Sequence, residues 1–212
     1  MSAPAFDATC RACPRLASHL DRVREMHAGY HARPVPPFGE RRPKLLVVGL
    51  APGMHGANRT GRPFTGDYAG VLLYETLYRH GFGSQPTGVA IDDGLKLVGC
   101  RITNAVKCLP PENKPLPDEV KRCNAYLKAE LDALPSDAAL LALGAIAHQA
   151  VLMAAGLRRA HFLFAHGAVH ALPGGRTLFD SYHCSRYNTQ TRRLTPEMFD
   201  AVVSAIRQRV NN

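Results

Sequence analysis

Apolar and polar positions along the chain alternate between two periods. Lys44-Leu45-Leu46-Val47-Val48, Ala138–Leu143 and Thr177–Tyr182 are short, nearly continuous apolar runs, the pattern of strands buried on both faces. Cys100–Lys107 reads as a further strand of the same kind. Between these runs the apolar positions recur three and four apart, predicting helices over Tyr68–Tyr78 (stopped near Gly81), Asp118–Leu134 and Gly144–Ala155. Val120, Cys123, Leu127 and Leu131 share one stripe, which turns Cys123 inward. A helix from Pro14 to about Gly29 precedes the first strand, with Leu16, Leu20, Val23 and His27 on one face. At the other end Thr195 caps a last helix, with Pro196 at its first position and Glu197 in its first turn. His161–Ala165 and Val169–Leu172 read as a hairpin around His166-Gly167.

Strands alternating with helices predict an α/β sandwich with a mostly parallel sheet. A length of 212 residues suits one domain spanning 1–212. Residues 1–43 form a cysteine-bearing arm packed on it, broken by the helix-excluding run Arg33-Pro34-Val35-Pro36-Pro37. No apolar run approaches the ~20 residues of a membrane span. Met1–Cys10 lacks the pattern of a secretory leader, so a cytoplasmic protein with no membrane partner is expected.

The formal net charge of +9 favours a polyanionic partner, of which nucleic acid is the commonest. Six cysteines in a reducing compartment point to metal binding or catalysis before disulfides. Cys10 and Cys13 form a C-x-x-C just before Pro14, and Cys108 and Cys123 form a looser pair. Four thiolates in two pairs can hold one tetrahedral zinc or one [4Fe–4S] cluster. Cys100 is read as a small core residue, and Cys184 as a filler.

The densest chemistry follows the first strand, in Gly49-Leu50-Ala51-Pro52-Gly53-Met54-His55-Gly56-Ala57-Asn58-Arg59-Thr60-Gly61-Arg62-Pro63-Phe64-Thr65-Gly66-Asp67. A long glycine-rich connection between strand and helix builds ligand sites at strand C-termini. It is neither a Walker phosphate loop nor a dinucleotide fingerprint. Arg59, Arg62, Asn58 and Thr60 offer phosphate contacts, Phe64 a stacking face, and Asp67 either a proton-handling carboxylate or a helix cap. The last strand delivers His183-Cys184-Ser185-Arg186-Tyr187-Asn188-Thr189-Gln190-Thr191-Arg192-Arg193 to the same sheet edge, and Asn104 ends the second strand there.

These stretches resemble the motifs of type B, or family 5, uracil-DNA glycosylases. Gly49–Gly53 with Asn58–Asp67 is similar to the first motif, and His183–Asn188 to the second, of form H-x-S-x-x-N. The order of the cysteines is similar to the family's cluster ligands. The resemblance covers nearly the whole chain. It implies a three-layer α/β/α sandwich with a four-stranded parallel sheet. It also implies a monofunctional repair enzyme, simplest as a monomer, that hydrolyses the N-glycosidic bond of uracil in DNA and of other deaminated bases, hypoxanthine and xanthine among them.

By the same resemblance His183 donates to the departing base, and Asp67 positions or activates water and opposes charge on the sugar. Asn104 reads the base edge. Gly49, Ala51, Gly53, His55, Asn58, Phe64, Ser185 and Asn188 surround the base; Arg59, Arg62, Arg186, Arg192 and Arg193 meet the DNA backbone. Cys10, Cys13, Cys108 and Cys123 hold a [4Fe–4S] cluster, with zinc the alternative occupant. Type A relatives carry Glu where Leu50 stands, which leaves the water-activating role open among Asp67, Asn104 and His55. The rival readings are a catalytically inactive DNA-binding relative, a type A enzyme restricted to uracil and an iron–sulfur electron-transfer protein.

Overall fold

The computed structural model describes residues 6–211; the first five residues of the arm and Asn212 lie outside it. Its centre is a six-stranded sheet of β1 (Phe38–Gly39), β2 (Leu45–Gly49), β3 (Cys100–Asn104), β4 (Ala139–Leu143), β5 (Val169–Ala171) and β6 (Thr177–Ser181), in the order β1-β3-β2-β4-β6-β5. The inner four strands, β3-β2-β4-β6, are parallel. The expected four-stranded parallel sheet is therefore present, with a short antiparallel strand added at each edge.

Period-two alternation explains the layering. Leu45 and Val47 of β2 face one side, against α3 (Tyr68–Arg79) and α7 (Pro196–Asn211). There they meet Leu73, Leu77, Phe199, Val203 and Ile206. Leu46 and Val48 face the other, with Leu127 of α4 (Pro117–Asp132), Val151 of α5 (Ala145–Ala154) and Leu16 of α1 (Pro14–Met26). Fully burying each such aliphatic side chain stabilises the fold by roughly 1.5–3 kcal/mol. Helix ends follow the expected chemistry: Thr195 Oγ1 accepts from Met198 N at 3.2 Å, and Glu119 reaches back to the Leu116 amide at 2.7 Å.

The predicted hairpin is corrected. β5 pairs with β6, turning through Pro173-Gly174-Gly175, where both glycines have positive φ; Arg159–His161 is a 3₁₀ turn instead. A Gly-Gly pair meets the backbone demand of a tight hairpin better than His166-Gly167 does. The long connection after β2 also has structure of its own, the single turn α2 (Ala57–Thr60), closed by Gly61 in the left-handed region.

The arm is stitched down by backbone bonds from His31 to Arg59, Ala32 to Asn58 and Val35 to Lys107. Arg15 adds a two-pronged ion pair to Glu119 of α4, at 2.8 and 2.7 Å. β2 leads to α3 on one face and β3 to α4 on the other. The connections thus diverge at the C-terminal ends of β2 and β3, the switch point where open α/β sheets place ligands.

Candidate active site

At that switch point lies a cleft of about 430 Å³. Its walls come from the Leu50–Ala69 segment, from Asn104 at the end of β3, from Asn113, and from His183, Ser185 and Arg186 after β6. Asn104 pairs in register with Gly49, and strand pairing continues through Ala105 and Val106 to the carbonyls of Gly49 and Leu50. The floor is therefore hydrogen-bonded sheet, not free loop.

Glycines set how closely the walls approach. A Cβ on Gly49 would overlap Asn104 Oδ1 and the Phe64 ring, and one on Gly56 would overlap the Asp67 side chain. Phe64 has φ +55°, a conformation costly for an aromatic residue. Tyr74 Oη holds it there by donating to the Pro63 carbonyl at 2.6 Å. The strained backbone brings the Phe64 ring 5.9 Å from the His183 ring, near-parallel at 29°.

Asp67 caps α3, Oδ1 accepting from Gly70 N at 3.1 Å, and it also lines the cleft. Burial raises its pKa, only partly opposed by the Gly70 and Ala69 amides. Burial likewise pushes His183 down to about 4, so its imidazole is neutral at pH 7 and carries one N–H. The carbonyl of His183 accepts from Asn188 Nδ2 at 2.8 Å, and Ser185 Oγ caps α6 (Arg186–Gln190) by accepting from Asn188 N. Within the H-x-S-x-x-N motif, Ser and Asn thus fold the turn that presents the histidine.

The structure brings Ala51, Gly53, Phe64, Asp67, Asn104, His183, Ser185 and Arg186 together around one cleft, over the Gly49 floor. It separates four other residues from it. His55 is exposed, with Nδ1 2.8 Å from Tyr30 Oη, while Asp67 and Asn104 line the cleft. Asn58, within α2, is fully buried, and its Oδ1 has no hydrogen-bond partner among the described residues. Asn188 acts on the His183 turn. Arg62 is the clearest correction. It is 3% exposed, paired with Asp93 at 2.9 and 2.6 Å, bonded to Thr65 Oγ1 and seated over Phe38, and cannot reach a DNA backbone.

The other arginines, Arg59, Arg186, Arg192 and Arg193, are exposed; Arg186 lies over Tyr68 at the cleft wall and Arg193 over Tyr182. Arg59 and Arg186 flank a second groove that shares Asp67 and Tyr68 with the cleft. Asn113 and Tyr68 are cleft residues that sequence reasoning missed. The signal for Asn113 was its place in the Pro110–Pro115 loop leaving β3 at the same edge, where Glu112 and Asn113 both take positive φ.

Cys10, Cys13, Cys108 and Cys123 line a separate chamber of about 140 Å³ between the arm, the segment after β3 and α4. Four thiolates around one zinc would stand about 3.8 Å apart, from bonds of about 2.3 Å. Either four-thiolate group, one zinc or one [4Fe–4S] cluster, is compatible with this donor set. Burial pushes the Cys108 thiol up to about 12 and raises those of Cys13 and Cys123, a cost that a cationic group bound by thiolates removes. The Lys107 amide donates to Cys123 Sγ at 3.3 Å. Cys100 and Cys184 are fully buried elsewhere in the core.

Known proteins resemble this chain along most of its length. The profile of the Uracil DNA glycosylase superfamily matches residues 36–207. A type-5 uracil-DNA glycosylase of Thermus thermophilus is 50% identical over 195 residues, 90% of this chain and 89% of that one. One from Mycobacterium bovis is 45% identical over 207 residues, 93% and 77% of the two chains. A type-4 uracil-DNA glycosylase of Pyrobaculum aerophilum is 37% identical over 130 residues, 61% and 58% of the two.

Proposed function

The chain belongs to the uracil-DNA glycosylase superfamily, enzymes that hydrolyse N-glycosidic bonds, and from that premise we propose that it is a type-5 member. In this reading it removes uracil, and also hypoxanthine and xanthine, from DNA. The observation that carries the proposal is one cleft holding Phe64, Asn104, His183 and Asp67, with Leu50 where type A relatives carry Glu.

A base inside a duplex is out of reach, so the nucleotide swings out and its base enters the cleft. Phe64 stacks on it, a contact worth ~1–3 kcal/mol. The Asn104 amide can both donate and accept, matching a base edge that offers both. As the bond between C1′ and the base nitrogen breaks, the electron pair leaves with the base and positive charge grows on the sugar. Neutral His183 donates its N–H to the base oxygen that becomes anionic, stabilising charge present only in the transition state. Asp67, as carboxylate, opposes the sugar's charge and orients the water whose oxygen bonds to C1′. The water's second proton passes to Asp67 or solvent, leaving an abasic site and, after protonation, the free base. Leu50 supplies no acid, so the design leans on charge stabilisation more than on a strong base, which suits a permissive substrate range.

Arg59, Arg186, Arg192 and Arg193 meet the phosphates either side of the cleft. Cys10, Cys13, Cys108 and Cys123 hold a [4Fe–4S] cluster, a structural tie between the arm and the fold that takes no part in bond cleavage. The protein acts as a monomer on DNA. No helix among the described residues is long and apolar enough to cross a membrane.

The test is base release from duplexes carrying one uracil, hypoxanthine or xanthine, by wild type and His183→Ala. Release of several bases, with a large loss in the variant, is the expected result. Release of uracil alone removes the breadth. No release with salt-sensitive DNA binding retained would leave an inactive binding relative.

A further inference from the structure

His148, His170 and Asp180 form a cluster that the glycosidic chemistry leaves unused. They come from three elements, α5, β5 and β6, and converge on the fully buried Asp180. Its Oδ1 lies 2.8 Å from His148 Nδ1 and its Oδ2 3.1 Å from His170 Nε2. The other nitrogen of His148, Nε2, is 2.9 Å from the Phe162 carbonyl, to which it can only donate. That contact fixes a proton on Nε2 and leaves Nδ1 turned toward the carboxylate. Phe164 packs against the His148 ring and Phe162 against His170, giving the cluster an apolar wall. The His170 side chain, 14% exposed, is where it meets solvent.

We propose that His148 Nδ1, His170 Nε2 and the Asp180 carboxylate bind a zinc-class divalent cation, at a site separate from the cysteine chamber. One ligand atom from each of the three residues lies within 4.8 Å of the others. Donors held at about 2.0–2.2 Å around a tetrahedral ion stand about 3.4 Å apart, so the His148 contact to Oδ1 would open by about 0.6 Å and the His170 contact to Oδ2 by about 0.3 Å, with both carboxylate oxygens facing the ion. Two imidazoles and one carboxylate suit zinc, cobalt or nickel rather than the all-oxygen shells of magnesium and calcium. Ligating histidines usually donate their second N–H to a carbonyl or carboxylate, as His148 does to Phe162. A cation also answers the charge problem of a buried carboxylate, taking the place of the proton between Nδ1 and Oδ1. Arg159 stands close enough to oppose it, which argues for modest rather than extreme affinity. The solvent side at His170 provides a fourth position for water. Asp180 is three residues ahead of His183 in the chain, so the ion braces the strand that delivers the cleft histidine.

The experiment is equilibrium dialysis of the purified, iron-containing protein against Zn2+, counting zinc and iron per chain, in wild type, His170→Ala and His170→Gln. One zinc per wild-type chain beyond the iron is expected, bound at least tenfold more weakly in both variants, with iron content and uracil release retained. Co2+ added to wild type identifies the ligands: spectra of nitrogen and oxygen ligation, without thiolate charge-transfer bands, are expected. The proposal is overturned by no zinc uptake at micromolar free metal, by equal uptake in the variants, or by a thiolate-bound Co2+ spectrum. The wild-type cobalt spectrum decides even if both variants fail to fold.

Discussion

The cleft and the cysteine chamber are built on opposite principles. The cleft gathers Asn104 at the end of β3 with residues of the connections that leave β2 and β6, and hydrogen bonds within the fold fix them: Tyr74 to the Pro63 carbonyl beside Phe64, Asp67 to the Gly70 amide, and Asn188 to the His183 carbonyl. The chamber draws its four from an arm, a loop and a helix, none of them in a strand. Arg15–Glu119, Arg122 to the Ala12 carbonyl, the Lys107 amide to Cys123 and the packing of Leu16 against α4 align those pieces. Hydrogen bonds within the cleft fix polar groups one by one, whereas the chamber leaves four thiols together in mostly apolar surroundings.

The largest expected effect breaks the chamber. Cys108→Ala should abolish absorbance near about 400 nm and lower the melting temperature by more than ~15 °C, since a structural metal group contributes folding energy outright. Purified wild type that is colourless and free of iron would undo the cluster reading. Arg62→Ala probes the frame of the cleft: stranding Asp93, whose carboxylate also accepts from the amides of Val89, Ala90 and Leu95, should cost about 3–5 kcal/mol in denaturant titration. The salt dependence of DNA binding should not change in that variant.

His183→Ala tests the cleft's chemistry apart from its frame. Single-turnover uracil release should fall about 10²–10³-fold, with stability near wild type at pH 7. Its stability profile carries a sign. The folded pKa near 4 lies below the ordinary 6.5, so the unfolded chain binds more protons between those values. Wild type should therefore lose stability as pH falls from about 6.5 to 4, and the variant should lose less.

Asp67 runs the other way. Its raised pKa keeps the carboxylate protonated to higher pH than an exposed aspartate, so the rate should drop as pH falls through that value. Asp67→Asn should be slower and should lack this acid limb; an unchanged limb would remove Asp67 from the reaction. The smallest effect separates the two arginines of one motif: Arg59→Ala should reduce the salt slope of DNA binding by about 1 and leave stability within about 0.5 kcal/mol.

Periodicity and strand-end position carried much of this protein in one dimension. Two-sided apolar runs can only be central strands, and residues following parallel strands must share one edge; that is why Asp67, Asn104 and His183 were legible as a group. The family motifs were contiguous and equally legible. Tertiary structure decided what depends on neighbours distant in sequence. Arg62 and Arg59, three residues apart, part company because Asp93 lies under one and solvent over the other. Asn113 enters the cleft through an unusual backbone turn, and Asn188 works on the His183 carbonyl rather than on a ligand. The pairing of β5 with β6 depended on which turn could close, and the His148–His170–Asp180 cluster on three elements meeting across the sheet. A side chain's type and its place on a strand or helix are local properties; what it touches is set by the packing of the whole chain.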